Sequence, residues 1–112
     1  MTAYNVVRYR AKRGRDKELE ELIRTGVNAA EAANFGGLRK VALIKIGERN
    51  YCFIGEWDSF DALANARSAM IKNLDRNRDL LEDLGGGLGV TYAVSGEAIF
   101  ELDISAIRAA KA

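Results

Sequence analysis

Hydrophobic and polar positions alternate, recur at threes and fours, and alternate again, in two successive rounds along the chain. Ala3–Ala11 is rich in β-branched and aromatic residues and predicts a strand. Alternation sets Asn5, Val7, Tyr9 and Ala11 on one face and Tyr4, Val6, Arg8 and Arg10 on the other. Gly14 suits a turn, and Asp16 is a cap or first-turn acid for a helix. Within that helix Leu19, Leu22, Ile23, Val27 and Ala30 form one apolar stripe, opposite Glu18, Glu20, Glu21 and Arg24. Asn34-Phe35-Gly36-Gly37 stops it, because asparagine and glycine favour left-handed and turn conformations.

Leu38–Ile46 predicts the second strand, with Leu38, Ala42, Ile44 and Ile46 on one face and Val41 and Leu43 on the other. Gly47-Glu48-Arg49-Asn50 is a short polar link, so strands two and three form an antiparallel hairpin. The third strand, Tyr51–Trp57, alternates Tyr51, Phe53, Gly55 and Trp57 with Cys52, Ile54 and Glu56. Both faces of these strands are apolar. A sheet with helices on one side alone needs only one such face, and leaving large side chains in water forgoes about 1.5–3 kcal/mol each. The pattern therefore implies a second sheet, supplied by a partner subunit.

Asp58 or Ser59 caps the next helix, whose apolar face runs through Phe60, Leu63, Ala64, Ile71, Leu74, Leu81 and Leu84. That is about seven turns, long enough to expect a bend or break around Ser68–Met70. Arg67 and Arg78 interrupt the face, either snorkelling to solvent or pointing into a pocket. The glycines of Leu84–Gly89 end the helix and lack the Gly-Lys-Ser/Thr ending of a phosphate loop. Val90–Val94 is extended, Ser95-Gly96 a turn or bulge, and Ala98–Leu102 the fourth core strand. Residues 104–112 form a short alanine-rich tail, with Ser105 placed to cap a helix, that frays or docks on the partner. The order βαββαβ defines an α+β, ferredoxin-like domain over residues 3–103 with an antiparallel sheet and helices on one face.

Composition narrows the chemistry. Seventeen basic and 16 acidic residues leave a net charge of +1, which favours neither nucleic acid nor an anionic membrane. No apolar run approaches the roughly 18 residues of a membrane span, and no signal core opens the chain, so a cytoplasmic location is expected. Cys52 is the only cysteine and there is no histidine. Zinc sites built on those two residues, imidazole bases and the usual haem ligand are thereby removed, and neither a metal nor a cofactor is expected.

Val6-Val7-Arg8-Tyr9, Phe35-Gly36-Gly37-Leu38 and Gly55-Glu56-Trp57-Asp58-Ser59-Phe60-Asp61-Ala62-Leu63 together resemble the antibiotic-biosynthesis-monooxygenase family of dimeric α+β barrels. Leu88-Gly89-Val90-Thr91 and Val94-Ser95-Gly96 are similar to a subset of its members. The resemblance implies a homodimer packed sheet to sheet, with a pocket between sheet and helices in each subunit. It also implies a cofactor-independent monooxygenase acting on a small phenolic or quinol substrate. The residues it assigns to catalysis are Asn5, Trp57 and Arg78, with Tyr9, Tyr51, Phe53, Leu63 and Met70 contacting substrate. The asparagine that polyketide-oxidising members carry four residues before the tryptophan is Phe53 here. Haem-degrading members ligate iron through a histidine that this chain lacks. The alternative is a non-catalytic dimer of the same fold that binds a small ligand or serves a stress or regulatory role.

Overall fold

A computed structural model describes residues 1–26 and 35–111. The elements are β1 (Ala3–Ala11), α1 (Asp16–Gly26), β2 (Leu38–Gly47), β3 (Asn50–Trp57), α2 (Phe60–Asp75), β4 (Leu81–Glu82), β5 (Tyr92–Glu97) and α3 (Ile104–Lys111). The sheet is antiparallel. β2 pairs with β3 and β3 with β1, while β5 and β4 share the other edge of β1, β5 along its start and β4 at its end. This is the ferredoxin-like order expected from the sequence, with its fourth strand in two pieces.

Register decides which side chains meet. Asn5 lies opposite Gly55 on one side and Ser95 on the other, and Tyr9 lies opposite Tyr51. These residues, with Ala3 and Trp57, look toward the helices. The hairpin link is only Glu48-Arg49, and Arg49 takes the left-handed conformation (φ 61°). Its guanidinium holds Ala11 O at 2.9 Å and Glu82 at 3.2 Å, tying the hairpin tip to β1 and β4. Ser59, not Asp58, caps α2: its hydroxyl accepts from Ala62 N–H at 3.1 Å. Gly37 (φ 87°) lets the chain cross α2 closely, since a Cβ there would lie 2.5 Å from Ala62 Cβ.

Three expectations are corrected. The fourth core strand is Tyr92–Glu97 rather than Ala98–Leu102. β1 begins at Ala3, whose partner is Glu97; one further bond from Ala98 N–H to Thr2 O (2.8 Å) exhausts the template. The second helix does not run to Leu84, nor break at Ser68–Met70; it ends at Asp75 and passes through a 3₁₀ turn, Arg78–Leu80. Leu80 and Leu81 are both buried, and consecutive inward residues fit a turn entering a strand better than one helical stripe. Finally, a register shift between Leu38 and Lys40 turns Leu38 to the helix side with Val41 and Leu43. Of the predicted α1 stripe, Leu19 and Ile23 are buried, whereas Val27, Ala30 and the Asn34 stop lie outside the described residues.

The opposite face of the sheet carries Ile44, Ile46, Tyr92 and Val94 exposed. Beyond β5, Ile99 and Phe100 are 97% and 76% exposed, and every described residue of α3 is exposed as well.

Candidate functional site

The site begins with one hydrogen bond. The Trp57 indole N–H donates to Asn5 Oδ1 at 2.8 Å, with Trp57 only 2% and Asn5 7% exposed. An indole can only donate, so the amide's orientation is fixed by chemistry: Oδ1 is the acceptor. Gly55 makes this possible. A Cβ at position 55 would lie 2.2 Å from Asn5 Oδ1 and 3.0 Å from Trp57 Nε1. Phe35 meets the Trp57 ring edge-on, 6.2 Å between centroids at 90°. Asn5 Nδ2 has no protein acceptor, and among the described residues no buried side-chain polar atom lacks a partner. Nδ2 therefore opens onto the space beside it.

That space is a cavity of about 530 Å³ between the sheet and the two helices, within the size range of small-molecule sites. Its wall is largely apolar, built from residues such as Val7, Phe53, Trp57, Leu63 and Met70, with a few polar groups including Asn5, Arg67 and Ser95. It can enclose an aromatic ring, offer the ring stacking partners, and present fixed donors to an oxygen.

Of the residues singled out from sequence, Asn5, Tyr9, Phe53, Trp57, Leu63 and Met70 all border the cavity. Tyr51 and Arg78 do not. Tyr51 is buried at the far end of the sheet, its hydroxyl donating to Glu20 at 2.5 Å. Arg78 is exposed just after α2, where its Nε donates to Asp75 at 2.6 Å. The helix ends before it could point inward. Arg67, one of the two arginines interrupting the apolar face, is the one from α2 that reaches the wall. Burial, then the nearby Cys52 and Tyr51, raises the Tyr9 pKa, so its phenol stays protonated at neutral pH. Burial and the Glu20 carboxylate do the same for Tyr51. Among the described residues no group of three histidine, cysteine or acidic side chains could hold a metal ion.

Sequence reasoning passed over Gly55, Ser95 and Phe35. A glycine inside an otherwise apolar strand marks a close approach, and that signal was available for Gly55. Ser95 carries none until the register with Asn5 is known.

The fold is that of the antibiotic biosynthesis monooxygenase structures. No protein-family model matches the chain, and no curated protein matches it by sequence. Among solved structures it is similar to SnoaB, a cofactor-independent oxygenase from Streptomyces nogalater, at 19% identity and TM-score 0.67, over 90% of this chain and 96% of that one. A candidate antibiotic biosynthesis monooxygenase from Nitrosomonas europaea matches at 9% identity and TM-score 0.68, covering 88% and 91%. Rv0793 from Mycobacterium tuberculosis matches at 12% identity and TM-score 0.70, covering 92% and 100%. Identities this low establish a shared fold, and function has to be argued from the site. Among the described residues no helix is long and apolar enough to cross a membrane.

Proposed function

We propose that this protein is a cofactor-independent monooxygenase acting on a small phenolic or quinol substrate in the sheet–helix cavity. The observation that carries the reading is the buried Asn5–Trp57 pair at the wall of an apolar, ring-sized space. A hydroquinone or anthrone supplies all four electrons that dioxygen needs. In an anthrone both methylene C–H bonds give way to a C=O. In a hydroquinone one ring C–H becomes C–OH and the two hydroxyls become quinone carbonyls. In either case the O–O bond breaks and the second oxygen leaves as water with the two hydrogens released. The protein has then to bind the ring, stabilise its anion and exclude water. Trp57 and Phe53 flank the ring, and Asn5 Nδ2 donates to its oxygen. The likeness to SnoaB, itself a cofactor-independent oxygenase, supports the same reading.

The working unit in this reading is a homodimer. The uncovered sheet face bearing Ile44, Ile46, Tyr92 and Val94 packs on its copy, and the arm at Ile99 and Phe100 extends the contact. Light scattering behind a sizing column tests this; a monomer at micromolar concentration would overturn it.

An oxygen electrode and a panel of hydroquinones and anthrones test the catalytic reading. Uptake above the uncatalysed rate is expected with at least one ring class and is lost in Asn5→Leu. No uptake across the panel would favour the second reading, a ligand-binding dimer without chemistry. That reading draws on Phe53, an apolar side chain where polyketide-oxidising relatives place an asparagine.

A further inference from the structure

Reaction with dioxygen without a cofactor needs the substrate as its anion, yet the described wall of the cavity holds no carboxylate, and the chain has no histidine. Tyr9 borders the cavity with a phenol that is itself protonated. None of the described wall residues is a ready proton acceptor. What the wall offers instead is donors and positive charge.

Arg67 reaches the cavity from α2. Its Nη2 donates to Ser95 Oγ at 2.9 Å, and its guanidinium lies 6.0 Å from the Phe60 ring centroid. Both partners are neutral, and no described carboxylate compensates the charge. The strand register then matters. Ser95 is the direct cross-strand neighbour of Asn5, and such pairs hold their Cβ atoms about 4.5–5.5 Å apart. Arg67, Ser95, Asn5 and Trp57 therefore form one polar row on a largely apolar wall, whose other polar residues, Thr25, Asn73, Arg76, Asn77 and Thr91, lie outside it. Within it the indole N–H engages Asn5 Oδ1 and so orients the amide with its N–H donors toward the cavity, and a guanidinium can only donate. The row is organised to receive an oxyanion.

We infer that the cavity takes its phenolic ligand as the phenolate, with the oxygen held between the Asn5 amide and the Arg67 guanidinium. Ser95 is a positioning residue that sets Arg67, and the ligand's proton is lost to water instead of to a protein base. The inference deepens the proposed function and rests on its reading of the cavity as an aromatic site. It also narrows the substrate class to rings with an oxygen that can ionise, as a phenol or as the enol form of an anthrone. Neutral aromatics and unionised alcohols are excluded.

The test is a nitrophenol whose ionised form absorbs in the visible, titrated with pH in the presence of saturating full-length protein. The bound phenol is expected to ionise about one pH unit lower than the free phenol, a tenfold preference for the anion. Arg67→Met should return the bound value to that of free nitrophenol. Arg67→Lys should keep part of the shift, which preserves the test if the methionine variant fails to fold. Ser95→Ala should reduce the shift without abolishing it. A bound pKa at or above the free value, a full shift surviving in Arg67→Met, or no binding of nitrophenol in either form would each overturn the inference. The readout is the protonation state of a bound probe, so it fails separately from oxygen uptake. Turnover without an Arg67-dependent shift would leave the monooxygenase standing and remove this account of its anion.

Discussion

The two ends of the helix-facing side of the sheet differ in how they are filled. At one end Tyr9, Ala11, Leu19, Ile23, Tyr51, Leu80 and Leu81 are all buried in a single cluster. At the other, the buried apolar side chains are Ala3, Trp57 and Leu63, beside the buried polar Asn5, with Phe35, Leu38, Phe60 and Met70 partly covered around them. Each end has a buried β3 aromatic with a polar handle. The Tyr51 hydroxyl reaches outward to Glu20, and its cross-strand neighbour is Tyr9, whose ring centroid lies 6.4 Å away. The Trp57 N–H instead turns along the sheet to Asn5; Trp57 pairs with Ala3 and Leu38, Asn5 with Gly55 and Ser95, and Ala93 follows opposite Val7. Small side chains on the sheet leave the room that the helices do not fill. Similar scaffolding thus yields a packed core at one end and a cavity at the other.

Substitutions at the two ends should therefore separate stability from ligand binding. The largest stability effect belongs to the packed end: Leu19→Ala is expected to cost about 2–5 kcal/mol. Calorimetry would show it, while the remaining folded protein binds a phenolic ring normally. At the hollow end Gly55→Ala drives a Cβ into Asn5 Oδ1. Overpacking of this kind costs about 1–3 kcal/mol, and it should also remove ring binding by displacing the amide. The comparison is sharpest in a matched pair. Tyr51→Phe and Trp57→Phe each delete one hydrogen bond, the first to a carboxylate and worth about 1.5–3 kcal/mol, the second to an amide and worth about 1 kcal/mol, with the buried ring also trimmed. Only the second should abolish oxygen uptake, and equal losses would show that the two ends are not functionally distinct.

The smallest effect is a pH dependence at the packed end. Burial works against ionisation of Glu82, but hydrogen bonds from Arg10 (3.3 Å) and Arg49 (3.2 Å) outweigh it and lower its pKa. A carboxylate whose folded pKa lies below its unfolded one stabilises the fold above the unfolded value. That contribution fades as pH falls through the folded value. Wild type should thus melt slightly above Glu82→Gln at neutral pH, with the gap closing in acid. A gap that widens on acidification would contradict the assignment.

Much of this was legible because the relevant physics is local. Alternation grouped Asn5 with Val7 and Tyr9 on one strand face and Trp57 with Tyr51 and Phe53 on another, and the apolar spacing of Leu19, Leu22 and Ile23 gave the first helix its stripe. The errors arose where pairing overrode pattern. A bulge beside Arg39 moved Leu38 to the other face, and the end of the β1 template fixed where the last strand stops. Leu81 and Leu84 continued a helical spacing, though Leu81 is held by strand pairing to Ala11. Arg67 and Arg78 were indistinguishable on the same stripe until the helix was seen to end between them. The Asn5–Gly55–Ser95 row joins three separate strands, so no short stretch of sequence displays it.

The central claim is that the Asn5–Trp57 cavity performs an oxygenation, and isotopically labelled dioxygen tests it most directly. With a hydroquinone or anthrone that supports uptake, mass spectrometry should find a single labelled oxygen in the organic product and the other in water. Asn5→Leu should lose this incorporation while keeping its fold. Label absent from the product, with dioxygen ending as peroxide, or incorporation undiminished in Asn5→Leu, would contradict the account.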